Sequence, residues 1–342
     1  MNKKLYLIVF FVFLFAGEAF AQTGLDVHFN GFGFLDDHEY EGLIPLRKTI
    51  SGTRTAIDFG LNPDSLNHFV VGANAMHEFG GQPFFLQVNP VAYYSYNNGS
   101  WLLNGGEFPR QGLLSQYPRA LLNDTLMYYR PNVEGILLRH QTANSYETEW
   151  IDWLSRQTAT QRNQFLAGFL GKYEPGMFYI SNFFMFMHDA GTKPLQPNSP
   201  IEDNGGGQIR VGLDMTHKQT VFDSLSFEVG GMLSAHRVRS EFDFQYSEGF
   251  VASFYASYKK FSFYDEFYKG MPNYIIYGDP YYVKTIYNRL DVTYTPIVIN
   301  RLKCSFMFSF HQSPGHLSDM SEVFHIVYDI GRVKIAQFKA YN

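Results

Sequence analysis

The sequence predicts an all-β chain closed into a transmembrane antiparallel β-barrel of about 16 strands, within a range of 16 to 18. Three observations predict it. Apolar and polar residues alternate with period two in one segment after another, the mark of strands with one apolar and one polar face. Aromatic residues make up 18% of the 342 residues, with 34 Phe and 24 Tyr, more than a soluble core of this size needs. The polar faces carry full charges such as Arg289 and Asp291, which suit walls lined by water. A soluble β-sandwich shares the alternation but turns its apolar face inward. The aromatic excess and the strand-end clusters Tyr93, Tyr94, Tyr96 and Trp101, Tyr128 and Tyr129, and Tyr277, Tyr281 and Tyr282 favour a barrel with interfacial girdles.

Taken in order, residues 1–21 read as a cleaved signal peptide. Lys3 and Lys4 precede an apolar run over 5–16, and Ala19-Phe20-Ala21 supplies a small-x-small cleavage pattern. The run falls short of the roughly 20 apolar residues that a helical span needs. Residues 22–342 then form a single barrel domain. Strands are expected at 25–31, 53–61, 69–78, 165–173, 208–216, 225–236, 250–259, 286–296 and 302–311. Long loops are expected at 36–51, 104–123, 190–206, 270–282 and 312–321, with Asn204-Gly205-Gly206-Gly207 as a flexible loop end. Short turns are expected at 62–66, 299–301 and 330–332. The last of these conflicts with strand parity, because it would leave the final strand ending on the wrong side.

Composition excludes several classes. A formal net charge of −5 and a pI near 6.1 give no footprint for nucleic acid. One cysteine, Cys304, permits neither a disulfide framework nor a Cys-built zinc site. The dispersed histidines and the lone glycine pairs match no metal or cofactor motif, and none is expected.

At this point the chain resembles the outer-membrane β-barrel proteins of Gram-negative bacteria. The stretch Gly105-Gly106-Glu107-Phe108-Pro109-Arg110, followed by Tyr117-Pro118-Arg119, Asn123-Asp124, Arg130-Pro131 and Glu134-Gly135, resembles the pore-narrowing segment of substrate-selective porins. That resemblance implies Arg110, Arg119 and Arg130 as constriction residues; an external loop with solvated arginines is the plainer reading. The alternation itself points Asp26, Asp58, Glu78, Asp214, Glu228, Glu266 and Asp291 into the lumen, with Arg54, Arg210, Lys259, Arg289 and Lys303. So mixed a wall predicts no strong ion preference.

The function expected is therefore a porin-like outer-membrane channel for passive diffusion of small polar solutes. Outer-membrane lipid surrounds it, and no enzymatic role is assigned. Its lining candidates are Arg110, Arg119, Arg130, Arg210, Asp214, Glu228, Arg289, Asp291 and Lys303. One alternative is a closed-lumen barrel acting in adhesion or assembly. Another is a lipid-ester hydrolase: His311-Gln312-Ser313 resembles the His-x-Ser pair of outer-membrane phospholipases and lipid A deacylases. Two departures weigh against that pair. Pro314 stands where those families have asparagine, and His311 shares the parity of Lys303 and Ser305, which points inward.

Overall fold

The computed structural model describes residues 22–40, 48–194 and 200–339. The signal peptide and the terminal Ala340-Tyr341-Asn342 lie outside them. Among the described residues sixteen strands close in sequence order, β1 pairing with β16, and every neighbour is antiparallel. They are β1 Gln22–Glu39, β2 Lys48–Asn62, β3 Asn67–Glu78, β4 Gln87–Asn97, β5 Trp101–Pro109, β6 Asn132–Gln141, β7 Ser145–Ser155 and β8 Gln164–Tyr173. The second half comprises β9 Phe178–Asp189, β10 Glu202–Asp214, β11 Ser224–Val238, β12 Phe242–Tyr258, β13 Phe261–Gly270, β14 Ile286–Ile299, β15 Leu302–Ser313 and β16 His316–Lys339. Gln22, Lys339 and most of the tight turns share one rim; most of the longer connections share the other, with the tight turns after β11 and β15.

Alternation sorts the two faces as the sequence implies. On β15, Phe306, Phe308 and Phe310 are exposed on the outer wall, while Ser309 and His311 are buried inside. On β10, Ile209 and Val211 face out, and Gln208 and Arg210 are buried within. Closure satisfies the backbone ladder without a free edge, as hydrocarbon demands.

Several expected loops are strand. Residues 330–332 lie inside β16, where Gly331 takes φ +63° at a register shift against His28 and Asn30 of β1. The Gly signal marks a β-bulge, not a turn, and the parity conflict disappears with it. Residues 312–321 belong to β15 and β16, joined by a tight Pro314-Gly315 turn with Gly315 at φ +84°. Asn204-Gly205-Gly206-Gly207 is paired throughout within β10. A Cβ on Gly206 would stand 2.7 Å from the Ile275 side chain, so glycine there admits a close approach from inside the barrel. Lys259, expected on the wall, sits in the β12–β13 turn at φ +55°.

What approaches from inside is a plug. Residues 110–131 and 271–285 turn into the lumen, the first carrying short helices α1 Gln111–Leu114 and α2 Thr125–Tyr129, the second a 3-10 turn Pro280–Val283. Leu113, Leu121, Leu122 and Leu126 of the first segment pack with Trp150, Leu166 and Met185 of the walls in one buried cluster. Each such buried leucine contributes about 1.5–3 kcal/mol. The plug crosses the whole lumen. Tyr128 packs on Phe34 of β1 at 4.6 Å, and Tyr117 donates to the Phe184 carbonyl of β9, across the ring, at 2.8 Å. Tyr128, Tyr281 and Tyr282, expected in an interfacial girdle, are buried in this plug, where hydroxyl and ring both find partners.

Candidate functional site

The plug stops short of the wall at one corner of the loop-bearing rim, leaving a cavity of about 620 Å³. Five elements converge there. β1 supplies Asp36 and His38, with Tyr40 just past its end, β14 supplies Arg289, β15 His311 and β16 Ser321, while the plug supplies Arg119, Asp124, Asp279 and Tyr281. The inner row of β1 explains the arrangement. Phe32 and Phe34 pack under the plug, and the same face then turns polar at Asp36 and His38 as it clears the apolar cluster.

His38 and Asp36 stand as an ion pair by distance, Nε2 2.7 Å from Oδ1, without the alignment of a hydrogen bond. Asp36 is buried at 1% exposure, whereas the His38 side chain keeps 17%. Nδ1 of His38 takes no hydrogen bond from the described residues. Its ring stacks on Tyr40 at 4.7 Å.

Two arginines supply positive charge. Arg119 pairs with Asp124 at 2.8 Å. Burial and Arg289 oppose the charge on Arg119, but Asp124, Asp291 and Asp279 outweigh them and raise its pKa. Burial likewise opposes ionisation of Asp124, and Arg119 and Arg289 overcome it, so this carboxyl is held below the ordinary range. At Asp279 burial wins over Arg289, and the carboxyl is pushed up. Arg289, 2% exposed, holds Asp291 at 2.7 Å through Nε and Ser309 at 3.1 Å through Nη2. Its Nη1 is 3.6 Å from Asp279 and makes no hydrogen bond among the described residues. A buried guanidinium donor without an acceptor is costly unless a ligand meets it. Among the described residues no group of three His, Cys, Asp or Glu is placed to hold a metal ion.

The sequence-selected residues are dispersed. Arg119, Arg289 and Asp291 belong to this corner. Arg110 is a plug anchor: fully buried, it pairs with Asp152 and donates to the Arg130 and Asn132 carbonyls at 2.7 and 2.8 Å, tying the two ends of the segment to β7. Arg130 donates to the Leu154 carbonyl at 3.2 Å. Arg210 is caught in a buried network with Glu266 at 2.8 Å and Glu228 at 3.2 Å. Asp214 caps the turn after β10 through the Thr216 amide at 2.8 Å, and Lys303 is exposed near the terminus-bearing rim.

Nor do His311 and Ser313 make a serine–histidine dyad. His311 shares Nδ1 with the Tyr287 hydroxyl at 2.6 Å and meets Tyr40 through Nε2 at 3.4 Å. Ser313 donates to the Ile286 carbonyl at 2.9 Å. Asp36 and His38 fall outside the strand that the sequence predicts at 25–31 and at the start of the loop it predicts at 36–51, whereas β1 runs to Glu39. Continued alternation through Phe32, Phe34, Asp36 and His38 was the available signal.

Comparison with known proteins adds a family and a fold. The family model described as lipid A 3'-O-deacylase-type matches residues 18–339. That match overturns the expectation that the chain has no enzymatic role, since the family is one of enzymes. Comparison with the curated proteins gives no match. Among solved structures, OmpT of Vibrio cholerae is 8% identical with a TM-score of 0.56, covering 90% of this chain and 99% of that one. The anion-selective porin of Comamonas acidovorans is 7% identical with a TM-score of 0.55, covering 90% and 100%. OprB of Pseudomonas putida is 8% identical with a TM-score of 0.52, covering 92% and 94%. These likenesses are to fold: a Gram-negative outer-membrane barrel of porin type.

Proposed function

The chain belongs to the lipid A 3'-O-deacylase-type family, and we propose on that premise that it hydrolyses an acyl ester of a lipid A-type glycolipid in the cavity at its loop-bearing rim. One observation carries the reading. A histidine with one nitrogen 2.7 Å from a buried carboxylate lines the same cavity as a buried arginine; among the described residues its other nitrogen takes no hydrogen bond and the arginine's Nη1 finds no acceptor.

The chemistry follows from those groups. The charge of Asp36 lies beside the ring of His38 and favours its protonated form, and Nδ1 takes a proton from water as it attacks the ester carbonyl. Arg289 and Arg119 face the oxyanion that forms, in a pocket where burial strengthens their charge. Collapse of the tetrahedral intermediate breaks the C–O bond to the sugar. The imidazolium returns its proton to the departing alkoxide, leaving a fatty acid and a free hydroxyl. The lumen-wide plug favours this reading over a diffusion channel, because a solute path would have to pass a buried apolar cluster.

The test is mass spectrometry of lipid A after incubation with the purified chain and with His38→Gln. The wild type releases a fatty acid, and the variant slows by on the order of 10²–10⁴. Equal rates in the two would discard His38 as the base.

A further inference from the structure

The opposite side of the barrel carries a second constellation, on the outer wall. His188 of β9, Asp203 of β10 and Arg237 of β11 are cross-strand partners in one outward row near the loop-bearing rim. His188 Nδ1 meets Asp203 Oδ1 at 2.6 Å. Arg237 reaches the other carboxylate oxygen at 2.6 Å, and Arg239, just past the end of β11, reaches it at 3.1 Å. Asp203 is buried at 2%, but the side chains of Arg237 and Arg239 keep 26% and 46% of their surface. One carboxylate thus orients two guanidinium groups that remain available and outnumber it in charge. Arg237 is also held over the Phe244 ring at 4.2 Å.

Below this row the wall is hollowed into a groove of about 1200 Å³ between Phe184 and Phe186 on one flank and Leu233, Tyr246 and Phe250 on the other. Its floor includes Gly207 and Gly231, whose missing side chains open the space. Glu248, opposite Leu233, and Lys269, beside the loop-bearing end of β13, also line it. The groove spans β9 to β13, which at about 4.8 Å per strand is roughly 19 Å across. That width exceeds what two acyl chains fill side by side.

We infer that this face retains a phosphorylated, multiply acylated glycolipid of the outer leaflet, its phosphate on Arg237 and Arg239 and its chains in the groove. Guanidinium groups suit phosphate through paired, charge-assisted hydrogen bonds. A basic cluster at the polar rim of a hydrocarbon-facing groove matches an anionic headgroup above apolar chains. The width favours a lipid with several chains over a two-chain glycerophospholipid. The site lies on the outer wall of β9–β13, away from the β1 and β14–β16 corner, and does not rest on the hydrolase reading.

Native mass spectrometry of the full chain in detergent tests it, with diphosphoryl lipid A, its dephosphorylated form and phosphatidylglycerol as probes. The probe's mass in each spectrum shows whether it is intact, so binding is scored on unhydrolysed lipid whatever the fate of the His38 reading. Diphosphoryl lipid A should stay bound, with Arg237→Gln/Arg239→Gln weakening it about tenfold or more. Gly231→Leu should weaken it too, and the fold tolerates that change because the nearest atom to an added Cβ is 4.0 Å away. Heat-modifiable gel migration checks that each variant is folded. Equal binding by the folded arginine variant or of dephosphorylated lipid would overturn the phosphate assignment. Equal retention of phosphatidylglycerol would overturn the glycolipid, and an unaffected Gly231→Leu would overturn the groove.

Discussion

His38 and His311 line one cavity from different strands, and their surroundings give them opposite characters. His311 is 2% exposed, stacked on Tyr281 at 4.3 Å, with tyrosine hydroxyls at both nitrogens. Every ring atom is committed to packing or hydrogen bonding. His38 has a carboxylate beside one nitrogen and, among the described residues, no hydrogen bond at the other. Imidazole becomes a base when something orients it and something else is left for it to do. A short sequence pattern points to the histidine that is structurally occupied, while the base proposed here is one that no pattern marks.

The contrast can be broken first at Asp36. Asp36→Asn keeps the size of the side chain but removes the charge 2.7 Å from the ring of His38. Deacylation measured by fatty-acid release should fall by on the order of 10²–10³; a change within twofold would dissolve the distinction between the two histidines.

The next largest effect concerns the plug that shapes the cavity. Arg110→Ala leaves Asp152 as a buried charge without its partner, which costs about 3–5 kcal/mol. Residues 110–131 should then exchange amide hydrogens faster than the walls, and planar-bilayer recordings should show openings that the wild type lacks. A variant as silent and as protected as the wild type would mean that the apolar cluster alone holds the plug.

The smallest effect sharpens the comparison from the other side. Ser313→Ala should leave the deacylation rate within twofold, because the Ser313 hydroxyl is spent on the Ile286 carbonyl. A loss of tenfold or more would restore the His311 and Ser313 pair.

Much of the barrel was legible because period two survives in every wall strand. The charges on β10 and β14, Arg210, Arg289 and Asp291, read correctly as inward for that reason. Where glycine interrupted the pattern, the reading failed. Gly331 marks a bulge and Gly205-Gly206-Gly207 a strand beneath a plug, and composition cannot distinguish either from a turn. Prolines and arginines at 109–131 left an inward segment open beside the plainer reading of an external loop. Its second half at 271–285 was read only as a loop, since nothing local shows that Tyr281 and Tyr282 are buried by a distant stretch of chain. The candidate site was the least legible part. It is assembled from β1, β14–β16 and both plug segments, and its polar pair sits where an apolar strand row was assumed to have ended.

The most direct test of the central claim is the release of fatty acid from lipid A by the folded, purified protein beside its His38→Gln variant. The account predicts loss of an ester-linked chain with the wild type and a rate at least a hundredfold lower with the variant. A folded wild type that leaves lipid A intact, or a variant that matches it, would contradict the account.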